Sequence, residues 1–125
     1  MNTPQSSHSG SPRPLPFHSL DVYSVAIDLV RLAGSLSAFR GTAEVRDQLR
    51  RASSSCALNV AEASGKNGAD RRRFFLIARG SACEAGAALD VLAALEAIDA
   101  TLHQQGLHLC DRLYAMPTRL SRAGR

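Results

Sequence analysis

The stretch that most narrows what this chain can fold into runs from Phe74 to Leu95, where the only charged side chains are Arg79, Glu84 and Asp90. At helical pitch its apolar surface is far wider than the single stripe of a helix that keeps one face in water. A simple bundle of one chain leaves one side of each helix wet. The surplus therefore predicts burial against further copies of the protein, so that any basic surface would decorate an assembly.

At 125 residues the chain has the length of one domain, enough to bury a core without disulfides or metal. Proline clusters before residue 18 and returns only at Pro117, with alanine and leucine dominant between, which is the composition of an all-helical protein. Residues 1–18, rich in Pro, Ser and Gly, read as a flexible tail and not as a signal peptide. Residues 19–122 read as the bundle domain and 123–125 as a short C-terminal tail. Glu84 and Asp90 interrupt the longest apolar region, so no membrane span is expected, and the expected location is the cytoplasm.

Four helices follow from the periodicity. The first is expected from Ser19, as cap, to Gly34, with Leu20, Tyr23, Ile27 and Val30 in a stripe. The second starts near Thr42, whose hydroxyl suits the cap, and ends at Ala63–Gly65. Its apolar side carries Val45, Leu49, Ala52, Cys56 and Val60. The short connection 66–69 forces the third helix to run antiparallel; Asp70 is its expected cap and Ile98 its expected end. Leu102, Gly106, Leu109, Leu113, Met116 and Leu120 form a bundle seam on the fourth, which Pro117 should kink or loosen. The fold class is thus all-α, an antiparallel up-down-up-down four-helix bundle.

Charge is segregated along this frame. Residues 40–79 hold nine basic side chains against four acids, residues 80–111 hold five acids and no Lys or Arg, and residues 112–125 add four arginines. Net charge is +4, and a basic region of this kind attracts polyanions such as RNA or DNA, or serves only as a solvated surface. The sharpest feature is Arg71, Arg72 and Arg73, expected in the first turn of the third helix. The positive end of the helix dipole makes each cost about 0.3–1 kcal/mol there. A phosphate bound among them, and to the free N–H groups of the turn, would relieve that repulsion, with Lys66 adding to the site. The competing reading pairs the same arginines with Glu62, Asp70 or acids of a neighbouring subunit. Arg46 and Arg50 form a second candidate patch, whereas Arg51 should pair with Asp47 one turn earlier.

Asn59, Glu62 and Arg79 are polar groups in apolar patterns, expected in structural roles. Glu62 should bind the hairpin or an arginine of the third helix's first turn, and Arg79 should make a buried or intersubunit polar bond, for instance to Asp90 of a neighbour. No nucleophile with a base and no carboxylate pair at helical spacing accompanies them, so no catalytic residue is assigned and an enzyme is not expected. Cys56, Cys83 and Cys110 fall on three different helices without a C-x-x-C pair, and His103 and His108 are five apart. No metal or cofactor is expected from either set.

Leu49–Ala52, Asn59–Glu62, Arg73–Phe75 and Ile77–Ser81, together with Phe17, Leu20, Val22, Tyr23 and Ala26, resemble the four helix bundle protein family, also called the 23S rRNA intervening sequence protein family. The resemblance covers roughly residues 17–120; Ala63 stands where the family usually has Gly. It implies a homo-oligomeric ring, a homopentamer, related to the accessory variability protein of diversity-generating retroelements, which binds nucleic acid and a reverse transcriptase. The expected function is a non-enzymatic protein that binds RNA or DNA phosphates without sequence preference. The alternative is a protein-interaction scaffold or accessory subunit with a protein partner.

Overall fold

The computed structural model describes residues 10–123, so the first nine residues of the expected tail and residues 124–125 lie outside it. A short 3-10 turn, η1 (Pro16–Ser19), leads into four α-helices, α1 (Asp21–Gly34), α2 (Ala43–Ser64), α3 (Gly68–Ala94) and α4 (Ala100–Ala123), and there is no strand among the described residues. Regular structure thus begins inside the segment read as tail. Phe17 stacks on Tyr23 at 4.7 Å, and the Leu15 amide donates to His18 Nδ1 at 2.8 Å.

The helix starts differ from the sequence reading for identifiable reasons. Ser19 does not cap α1: its hydroxyl turns back to the Pro16 carbonyl at 3.3 Å, and Leu20 holds the cap position. Thr42 does sit at the cap of α2, but it is buried and its hydroxyl donates to the Phe39 carbonyl at 2.7 Å, fastening the preceding turn instead of the first turn of the helix. Asp70 does not cap α3, which starts two residues earlier at Gly68 with Asn67 in the cap position. Gly68 at φ 53 lets the chain leave α2 and re-enter a helix within three residues, a reversal that glycine makes without steric cost.

The far end of α3 is also shorter than the periodicity suggests. Glu96 adopts φ 59, its N–H bonds to the Ala93 carbonyl, and the Ala97 N–H bonds to the Leu92 carbonyl, each at 2.9 Å. This is the Schellman closure, made here with a glutamate where glycine is usual. Asp99 then caps α4, its Oδ1 accepting from the Leu102 N–H at 2.8 Å. Pro117 does not end α4. The helix runs through it to Ala123 with the ring fully buried, although the Leu113 carbonyl loses its usual donor.

The core is built from Val22, Leu29, Leu49, Val60, Phe75, Leu89, Leu92 and Leu113, with alanines between them. Each such large side chain contributes about 1.5–3 kcal/mol through removal from water. The central helix is α3, packed on α2 on one side and α4 on the other. Its small residues Ala78, Ser81, Ala82, Ala85 and Ala88 are all buried, and they admit both neighbours closely. Along the α3–α4 seam Asp90 meets His103, Leu89 meets Gly106, Gly86 meets Cys110, and Arg79 meets Thr118. On the other side Ser55 and Ser81 share a hydrogen bond at 2.9 Å.

Much of the apolar surplus on α3 is therefore taken up within the chain, which revises the reasoning that only other copies could cover it. Exposed large apolar side chains remain at Leu58 of α2, at Ile77 and Val91 of α3, at Leu95 and at Tyr114. No helix among the described residues is long and apolar enough to cross a membrane.

Candidate nucleic-acid interface

The cluster at the start of α3 is displaced from its expected helical position. With Gly68 as the first helical residue, Arg71 closes the first turn and Arg72 and Arg73 lie in the second. The Arg71 N–H is already bonded to the Asn67 carbonyl at 3.3 Å. The free N–H groups belong instead to Gly68, Ala69 and Asp70, and the dipole acts mainly on Arg71. Asp70, now a first-turn acid, is favourably placed.

What holds these arginines is chiefly aromatic. The guanidinium carbon of Arg71 stands 4.9 Å from the Phe75 ring centre and that of Arg73 stands 4.5 Å from Phe74. Stacking on a ring face fixes the side chain but consumes none of its N–H donors. Arg73 also reaches Asp70 at 3.9 Å, a long pair between two exposed groups that contributes little in water. Arg72 is exposed and makes no ion pair, hydrogen bond or ring contact among the described residues. Lys66 pairs with Glu62 at 3.3 Å across the α2–α3 turn and lies 6.0 Å from the Phe74 ring. Glu62 thus pairs with the lysine of the α2–α3 connection.

The second patch divides. Arg46 Nε donates to Thr42 Oγ1 at 3.1 Å, which draws it along the first turn of α2. Arg50 pairs with Asp47 at 3.3 Å, so Asp47 serves Arg50 and not Arg51. The hollow on this side, about 410 Å³, brings Arg50 together with Arg51, Ser54, Ser55, Leu58 and Asn59, without Arg46. Asn59 donates to the Ser55 carbonyl at 2.8 Å, closing on its own helix.

Arg79 faces α4. Its Nη1 donates to Thr118 Oγ1 at 3.2 Å and its guanidinium lies 5.1 Å from the Tyr114 ring. Asp90, the partner proposed for it on a neighbour, is occupied within the chain by His103 Nε2 at 2.8 Å. Nothing in the local pattern of α4 says which turn stands opposite Arg79, so the sequence alone does not single out Thr118.

The cysteines are free. Burial, reinforced by Cys110, pushes the Cys56 thiol up to about 12; burial, with Cys83 and Asp90 nearby, pushes Cys110 up to about 12 as well. Thiols held protonated are poor nucleophiles and poor metal ligands at neutral pH. Among the described residues no group of three His, Cys, Asp or Glu stands where it could hold a metal ion.

Fold and surface together define a four-helix protein with a guanidinium-rich face around the α2–α3 turn. Residues 18–119 match the family described as 23S rRNA-intervening sequence protein, and the chain belongs to that family. A comparison with curated proteins finds no match.

Proposed function

We propose that this protein is a non-enzymatic, antiparallel up-down-up-down bundle that assembles into a cyclic homo-oligomer, a pentamer, and binds RNA or DNA phosphates through its arginine-rich surface in the cytoplasm. The observation that carries the binding reading is that Arg71, Arg72 and Arg73 stand together with one long, exposed ion pair among them. Their charge is therefore not cancelled within the chain, and the ring contacts of Arg71 and Arg73 use none of their N–H donors. The antiparallel sense is supported by the descending order of α4 partners: as α3 positions rise from 79 to 90, their α4 partners fall from 118 to 103. Assembly is supported by the apolar side chains left exposed at Leu58, Val91 and Leu95.

The test is titration of labelled single-stranded RNA and DNA at two salt concentrations, with light scattering on the same samples. Affinity should fall steeply with salt, and the triple change of Arg71, Arg72 and Arg73 to Ala should abolish most of it. Binding that is absent, or unchanged in the triple variant, would favour the scaffold reading, in which the same face meets a protein partner. A particle of single-chain mass, 13.3 kDa, would end the assembly reading.

A further inference from the structure

On the other side of α3 a cleft of about 520 Å³ opens toward α4, lined by Arg72, Leu76, Arg79, Thr118, Ser121 and Arg122. We infer that this cleft seats the phosphodiester backbone of a nucleic acid, with Arg72, Arg79 and Arg122 as its phosphate contacts; the inference rests on the nucleic-acid reading above and gives it a second, deeper site.

Three guanidinium groups line this space and, among the described residues, no carboxylate does. Arg72 and Arg79 are seven residues apart on α3, two helical turns along one face, and Arg122 comes from the last turn of α4. Arg79 is held in place by Thr118 and Tyr114 and spends one N–H in doing so, leaving the rest of its fork available. Arg72 and Arg122 spend none among the described residues. Like charges gathered without a counter-charge repel, and an anion placed between them removes that cost.

The hydroxyls of the cleft spend their protons on the helix backbone. Thr118 donates to the Tyr114 carbonyl at 2.7 Å and Ser121 to the Thr118 carbonyl at 2.8 Å, so among the described lining side chains the donors left for a ligand belong to arginines, a set that favours an anion. The cleft also continues outward. Arg72 and Leu76 line a neighbouring hollow of about 420 Å³ together with Ala69, Arg73 and Ile77, so the basic side chains form a track running Arg73, Arg72, Arg79, Arg122. A track with repeated charge matches a backbone that repeats its phosphate better than a compact single anion, and planar guanidinium groups match phosphate oxygens in pairs.

Arg122→Ala is the discriminating variant, because the residue is exposed near the end of α4 and outside the cluster tested above. With a labelled single-stranded RNA, it should weaken binding by roughly tenfold at moderate salt and lower the logarithmic salt slope by about one, while Arg122→Lys keeps the slope. Wild-type binding that the triple Arg71, Arg72 and Arg73 variant loses but Arg122→Ala retains would overturn the cleft and leave the general reading standing. Absence of wild-type binding would overturn both. Tripolyphosphate that displaces the RNA at equimolar amounts would reassign the cleft to a small phosphate compound, whereas resistance to it supports a backbone. Polyglutamate that binds with equal affinity and equal dependence on Arg122 would reassign it to an acidic protein.

Discussion

Gly106 tests the α3–α4 seam, and with it the cleft that the seam positions. A methyl group built there would stand 2.6 Å from Leu89 Cδ1, 3.1 Å from Cδ2 and 3.4 Å from Cγ. Leu89 is fully buried, so its terminal methyl groups must shift within the core to make room. Gly80, also inside a helix, has nothing within 4 Å of the same imagined methyl. Replacing a mid-helix glycine by alanine gains about 1 kcal/mol of helix propensity, so Gly80→Ala should stabilise by nearly that amount. At Gly106 the same gain is opposed by overpacking of about 1–3 kcal/mol, for a net destabilisation of up to about 2 kcal/mol. The difference between the two variants, about 1–3 kcal/mol, isolates the close approach. Urea unfolding followed by far-UV circular dichroism, at one protein concentration for all variants, reads it directly. Truncating Leu89 as well should make the pair of changes less harmful than their sum by the same amount. If Gly106→Ala stabilises as much as Gly80→Ala, the helices do not meet at this level and the placement of Arg79 opposite Thr118 loses its support.

Glu96→Gly should stabilise the fold by about 1 kcal/mol, because it relieves a left-handed residue while the two hydrogen bonds of the α3 closure remain; an unchanged or lowered urea midpoint would refute that conformation. Thiol titration of the native protein at neutral pH should find only the exposed Cys83 reactive, with Cys56 and Cys110 released by denaturant. Since the folded state holds those two thiol protons up to about 12, it binds more protons than the unfolded chain above the ordinary thiol value of 9.0, so stability should decline as pH rises from about 9 toward 12; a flat profile there would contradict their burial.

The helical periods of α2 and α4 were legible because each needs only one buried stripe, and a stripe leaves its spacing in the sequence: Leu49, Ala52, Cys56 and Val60 all fall in the core as their spacing suggested. Helix ends were less legible. Ser19, Thr42 and Asp70 are all good cap residues by type, but a hydroxyl or carboxylate near a helix start has several carbonyls and amides within reach. The winner is set by the turn geometry, as when Thr42 turns to Phe39. The end of α3 escaped because a glutamate holds the position at which the usual signal is glycine.

The candidate site divides along the same line. Consecutive arginines beside consecutive phenylalanines are a local fact, and the helix alone brings Arg71 over Phe75 and Arg73 over Phe74. Which arginine Asp47 pairs with is not fixed by spacing, since Arg50 and Arg51 both lie within about one turn and the choice depends on side-chain direction. Chain composition and periodicity by themselves determined that this protein is helical, that its core is made of alanine and leucine, and that its positive charge gathers before residue 80. Only the packing of α4 against α3 decided that Arg122 joins Arg72 and Arg79 around one cleft, and that Asp90 meets His103. Those residues are far apart in the chain, and their meeting depends on the register at which Gly106 admits Leu89, a steric fit between two helices that no single segment encodes.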